Sequence, residues 1–185
     1  RTKLFAKKSI FLELNQKVVL SLNDESNENS VFSLYPKKTL NQLIVGDKIR
    51  LDFNGASVSV NHKDEYQIEF VCTSSGKVGD NKGADVQRKI CLPDFTEKDL
   101  KALRVANELN LKEIFISFCK SKSAIDKVRE IVNEPFITSK IESRLSINML
   151  PIICMNSDAI LIDRGDLSRE ISILDIPFAQ KGIIK

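Results

Sequence analysis

The chain has 185 residues, 42% of them hydrophobic and 29% charged, and a formal net charge of +3. That length leaves room for one or two domains with real cores, and so small a charge makes no case for a nucleic-acid partner. No apolar run approaches the roughly 18 residues of a membrane helix.

The sequence opens on Arg1, and residues 1–8 are basic without an apolar stretch, so they do not read as a signal peptide. An excerpt or a processed product is expected. The four cysteines, Cys72, Cys91, Cys119 and Cys154, are widely separated, with no C-x-x-C spacing. They read as buried free thiols of a reducing compartment.

Up to about Pro93, short alternating runs dominate, at 10–14, 18–22, 31–34, 48–52, 56–60 and 66–71. Polar turns at 23–30, 54–55 and 61–64 separate them. Strands at this spacing predict a small β-barrel or sandwich, and Asn54-Gly55 between two runs predicts a hairpin turn. His62 falls in a polar turn and reads as a surface residue; Lys37 and Lys38 read as a solvated pair.

Beyond Pro93 the rhythm changes. Thr96 can cap a helix over about 96–110, with Leu100, Leu103, Ala106 and Leu109 as its apolar stripe. A strand follows at 113–118, a helix at 121–132, a strand at 136–141 and a helix at 143–150. A strand at 158–163 and a helix over roughly 177–184 complete the series. Alternation of this kind predicts a parallel sheet with crossover helices, whose functional groups gather where strands end. Ser117, the pair Lys140 and Glu142, and the run Arg164-Gly165-Asp166 all fall at such ends. Lys140 and Glu142 are two apart, so on a strand they point to one side. Two carboxylates, a lysine and a turn with backbone N–H groups suit a divalent cation and an anionic, oxygen-rich substrate.

The order of motifs resembles pyruvate kinase. Gly46-Asp47-Lys48-Ile49-Arg50-Leu51-Asp52 with Gly55 is similar to a step in that family's inserted lid. Lys82-Gly83 and Leu92-Pro93-Asp94-Phe95-Thr96-Glu97-Lys98-Asp99 resemble its return to the barrel. Ser117-Phe118-Cys119-Lys120, Ser139-Lys140-Ile141-Glu142, Arg164-Gly165-Asp166-Leu167 and Ala179-Gln180-Lys181 follow in the family's order. Arg1-Thr2 resembles the residues just before the lid.

The resemblance implies an α/β chain: a partial (β/α)8 TIM barrel holding about strands 4–6, with an inserted small all-β barrel as lid. Residues 1–88 would be the lid and 89–185 the barrel portion. A whole barrel takes about 250 residues, so a longer polypeptide is expected. The implied activity is phosphoryl transfer from phosphoenolpyruvate to ADP, giving pyruvate and ATP in glycolysis. The resemblance assigns Glu142 and Asp166 to Mg²⁺ or Mn²⁺, and Lys140 to the phosphoryl group in flight. It assigns Arg1, Ser117, Arg164, Gly165 and Asp166 to substrate and Lys82 to nucleotide phosphates. K⁺ is implied as a second cofactor, with ligands mostly outside this chain. A cytoplasmic homotetramer is implied for the full-length protein, without nucleic-acid or membrane partners. A non-catalytic relative is one alternative; a magnesium-dependent barrel enzyme using pyruvate or phosphoenolpyruvate, such as a citrate-lyase-type aldolase, is another.

Several positions depart from the family pattern. Asp163 stands where a small alanine is usual, and a carboxylate there is repulsive toward a bound carboxylate unless it turns away. Lys120 replaces an arginine, Ser143 an asparagine and Ser168 a glycine. The lid's paired Asp-Gly step is broken into Asp52-Phe53-Asn54-Gly55.

Overall fold

The computed structural model describes residues 1–5, 8–22, 32–52 and 55–184. The predicted loop at 23–30, Val31 and Asn54 of the predicted hairpin turn lie outside the described residues. The chain divides into two units, Arg1–Leu92 and Pro93–Lys185.

Among its described residues the first unit has nine strands: β1 (Thr2–Leu4), β2 (Ser9–Leu12), β3 (Lys17–Ser21), β4 (Phe32–Leu34), β5 (Lys48–Leu51), β6 (Ala56–Lys63), β7 (Gln67–Ser74), β8 (Gly76–Gly79) and β9 (Ala84–Val86). Five form an antiparallel sheet in the order β3-β7-β6-β5-β9, while β1 pairs with β4 and β2 with β8. Among the described residues no sheet closes on itself. The period-2 pattern explains the burial. Along β5, Ile49 and Leu51 turn inward while Lys48 and Arg50 face water. Leu12, Leu20, Leu40, Ile68 and the tilted ring pair Phe32 and Phe70, 5.7 Å between centroids, fill the core.

Three strands of this unit, β1, β8 and β9, have no counterpart in the alternating runs. The run predicted at 56–60 continues to Lys63, so His62 belongs to a strand and not to a turn, with its side chain exposed beside Asp64. A short 3-10 helix, Lys37–Gln42, is closed by Lys63, whose Nζ meets the carbonyls of Leu40, Asn41 and Leu43 at 3.2, 2.8 and 2.7 Å.

The second unit alternates helix and strand: α1 (Glu97–Glu108), β10 (Glu113–Ile116), α2 (Lys122–Ile131), β11 (Phe136–Ile141), α3 (Arg144–Asn148), α4 (Leu150–Asn156), β12 (Ala159–Ile162), α5 (Arg164–Leu167) and α6 (Ile176–Ile184). The three strands are parallel, in the order β10-β11-β12. Thr96 caps α1 in a full capping box with Asp99, as its position before an apolar stripe foretells. Leu103 of that stripe is buried, whereas Leu109 ends the helix and is exposed. Ile116, Ile125, Val128, Ile137, Ile141 and Ile153 make the core around the central strand.

The helix predicted at 143–150 ends at Asn148, and a second helix, α4, which the prediction did not include, starts at Leu150 with a proline in its first turn. The predicted turn at 164–166 is a single helical turn. All four cysteines are free, but only Cys72 and Cys119 are buried; Cys91 and Cys154 are exposed, because neither faces its unit's core. No helix among the described residues is long and apolar enough to cross a membrane.

Candidate functional site

Strands β11 and β12 end side by side. Their register pairs Lys140 with Leu161 and Ile141 with Ile162, so the next residues, Glu142 and Asp163, leave the sheet at the same level. Asp163 then begins α5, and Asp166 lies one turn further on. Parallel pairing and a three-residue helical step thus bring together carboxylates that are far apart in sequence.

Glu142 is the buried member, with its side chain 1% exposed. Its Oε2 accepts the backbone N–H of Phe118 at 2.5 Å, and its Oε1 meets the ammonium of Lys140. Phe118 follows the end of β10 and has φ +50°, in the left-handed region that bulky residues rarely enter. That conformation turns its amide toward Glu142.

Lys140 has a second partner, Asp163 Oδ2, at 3.1 Å. Burial alone would lower the lysine pKa, but hydrogen bonds and charge from Glu142 and Asp163 outweigh it and raise it, so the side chain is a firm ammonium. The hydrogen bond from Lys140 holds the Asp163 carboxyl below its ordinary value; burial opposes this and the amide of Asp166 reinforces it. Asp163 Oδ1 accepts that amide at 3.3 Å, which makes Asp163 the cap of α5. Asp166 in turn pairs with Arg169 at 3.0 Å.

Glu142, Asp163 and Asp166 each offer one oxygen within 4.8 Å of the others. Three hard oxygen donors, one of them buried, fit a hard divalent cation, and the interposed ammonium fits a phosphate or carboxylate oxygen.

The other predicted positions fall in different places. Ser117 is exposed in the turn after β10, beside the residue whose amide reaches Glu142. Arg164 and Gly165 are exposed in the first turn of α5. Arg1 and Lys82 belong to the first unit and neighbour each other there. Arg1 Nη1 donates to the carbonyl of Asn81 at 3.0 Å, and Thr2 exchanges hydrogen bonds with the backbone of Lys82. Lys120 lies 3.5 Å from Asp94, and the Ser143 hydroxyl caps α3.

Three participants escape a reading of motifs alone. Asp163 carries a signal, since an aspartate three residues before Asp166 is a favoured helix cap. Arg169 carries another, at i+3 from Asp166. Phe118 carries none, because nothing about phenylalanine announces a left-handed backbone.

A family model described as pyruvate kinase, barrel domain, matches residues 1–185. The pyruvate kinases of Staphylococcus aureus strains USA300, COL and N315 are each 30% identical over 183 residues, taking in 95% of this chain. The chain spans 31% of the length of those curated relatives. With a family match from end to end, and with the Ser-Lys-Ile-Glu and Arg-Gly-Asp-Leu segments at the edge of one parallel sheet, this chain belongs to the pyruvate kinase family.

Proposed function

We propose that the protein containing this chain transfers the phosphoryl group of phosphoenolpyruvate to ADP, in the cytoplasm, as a step of glycolysis. In this reading residues 1–88 are the lid and 89–185 are about strands 4–6 of a (β/α)8 barrel. The observation that carries it is the convergence of Lys140, Glu142 and Asp166 at the end of neighbouring parallel strands.

The reaction breaks the bond between phosphorus and the enol oxygen while a terminal oxygen of ADP bonds to phosphorus. The enolate left behind takes up a proton to become pyruvate. Little covalent help is needed from the protein; positioning and countercharge dominate. Lys140 supplies a fixed ammonium to oxygens that gain charge as the group transfers. Glu142 and Asp166 would hold Mg²⁺ or Mn²⁺, which when bound supplies concentrated positive charge to substrate oxygens. Glu142 is kept in place by the Phe118 amide, so its carboxylate does not have to be ordered at the moment of binding. Backbone amides of Arg164 and Gly165, together with Asp166, flank the position for the substrate carboxylate; Ser117 and Arg1 are secondary contacts, and Lys82 faces nucleotide phosphates. K⁺ is the second cofactor and the intact protein is a homotetramer.

A coupled assay of pyruvate formation with the full-length protein, Mg²⁺ and K⁺ tests the reading. Turnover that needs both phosphoenolpyruvate and ADP is expected. One observation favours a second reading, a non-catalytic relative: the carboxylate of Asp163 already occupies the amide of Asp166. Retained Mn²⁺ binding with no turnover would select that reading. The family match leaves the aldolase alternative without support.

A further inference from the structure

We propose that Asp163 is a positioning residue of this site that raises its affinity for the divalent cation and lowers its affinity for the anionic substrate. The inference rests on the reading above.

Two observations carry it. Asp163 Oδ2 shares the ammonium of Lys140 with Glu142, at 3.1 Å. By drawing that charge toward itself, Asp163 leaves more of the Glu142 carboxylate for a cation. Its other oxygen, Oδ1, accepts the amide of Asp166 and so sets where the helix bearing Asp166 begins. Asp163 therefore contacts Lys140 and the backbone of Asp166 directly, and reaches Glu142 through the shared ammonium.

The charge balance points the same way. Two cationic side chains, Lys140 and Arg169, face three carboxylates, Glu142, Asp163 and Asp166. The site thus carries one excess negative charge, and Asp163 supplies it. A dication is attracted by that excess. A substrate bearing a carboxylate and a phosphate is repelled by it. Such a substrate also meets an ammonium already engaged and an amide already capped. A residue that merely holds the fold together would shift both affinities in the same direction; this one moves them in opposite directions.

The test uses the full-length protein and two variants. Asp163→Asn keeps a capping oxygen for α5 but removes the charge; Asp163→Ala removes both. Mn²⁺ affinity is read from the free-ion signal in electron paramagnetic resonance, without substrate. Phosphoenolpyruvate affinity is read by calorimetry at Mn²⁺ concentrations that saturate each variant. Mn²⁺ binding is expected to weaken about 10-fold in both variants, the loss typical of a residue that orders metal ligands. Phosphoenolpyruvate binding is expected to tighten in both. Asp163→Glu, which keeps the charge, should return Mn²⁺ affinity toward the wild-type value. Weakening of both ligands together would assign Asp163 a purely structural role and overturn the proposal, as would two unchanged affinities. A wild-type protein that binds neither ligand would instead overturn the reading of the site itself.

Discussion

Lys140 divides one ammonium between a buried glutamate and a half-buried aspartate, and this changes what its removal should do. If it stabilises the phosphoryl group in flight, Lys140→Met should lower kcat by orders of magnitude with a smaller change in KM, a loss of about 3–4 kcal/mol by analogy with a missing oxyanion donor. Steady-state kinetics on the full-length protein would check it, and near-normal turnover would remove Lys140 from the mechanism. Its loss should also bear on stability, because Glu142 would keep a buried charge with the Phe118 amide as its remaining hydrogen bond among those described. Breaking a buried pair costs about 3–5 kcal/mol, so the melting temperature should fall, and added Mn²⁺ should recover part of it. A second residue-scale prediction concerns Asp47 in the first unit. Its carboxylate takes Arg88 at 2.7 and 3.0 Å and the amide of Ile44 at 2.9 Å. Burial would raise its pKa, but these partners outweigh burial and lower it. The group is more acidic folded than unfolded, so its contribution is complete above the ordinary aspartate value of about 3.9 and is lost as pH falls through the lower folded value. Asp47→Asn should therefore destabilise by about 1.5–3 kcal/mol at neutral pH, and the gap to wild type should close in acid denaturation curves below about pH 4.

At the scale of elements, the parts most legible in sequence are those whose signals are local. Helix α1 announces itself through Thr96 and Asp99, and Thr96→Ala should cost about 1 kcal/mol in denaturant unfolding. Strand β11 was readable from its apolar run between polar breaks, and its bounds match the expectation residue for residue. Strands β1, β8 and β9 were not, because they are three or four residues long and exist only through partners far along the chain. Gly76 shows how tight those partnerships are. A Cβ there would sit 1.2 Å from the carbonyl oxygen of Gly55, so no rotamer change relieves it. Gly76→Ala should unfold or strongly destabilise the first unit, measurable as loss of a cooperative thermal transition. Helix α4 went unread, although its proline stands in a first turn, where the residue is welcome. At the site, the spacing of Lys140 and Glu142 and the Arg-Gly-Asp-Leu run were legible. The departure at Asp163 was legible too, but its ion pair with Lys140 was not, because only the pairing of two strand ends brings those residues together.

At the scale of the whole molecule, the proposed cation position lies within one unit. The three clustered carboxylates belong entirely to Pro93–Lys185, whereas Arg1 and Lys82 belong to Arg1–Leu92. Metal alone should therefore protect one unit and not the other. In hydrogen-exchange mass spectrometry with Mn²⁺ and no substrate, slower exchange is expected at the end of β11 and through α5, with no change along β5–β7. Protection spread evenly over both units would contradict a site confined to the second. The exposure of the cysteines offers an instrument for following such events. Cys91 and Cys154 are accessible, one in each unit, while Cys72 and Cys119 are buried, with thiol pKa values raised by burial. Gln42 grips the backbone of Cys91 from both ends of its amide, at 2.8 and 2.9 Å, which anchors that position to its own unit. A maleimide donor and acceptor added to this chain should thus find two fast-reacting thiols, and energy transfer between the dyes becomes a ruler from one unit to the other. Both attachment points are native to this chain.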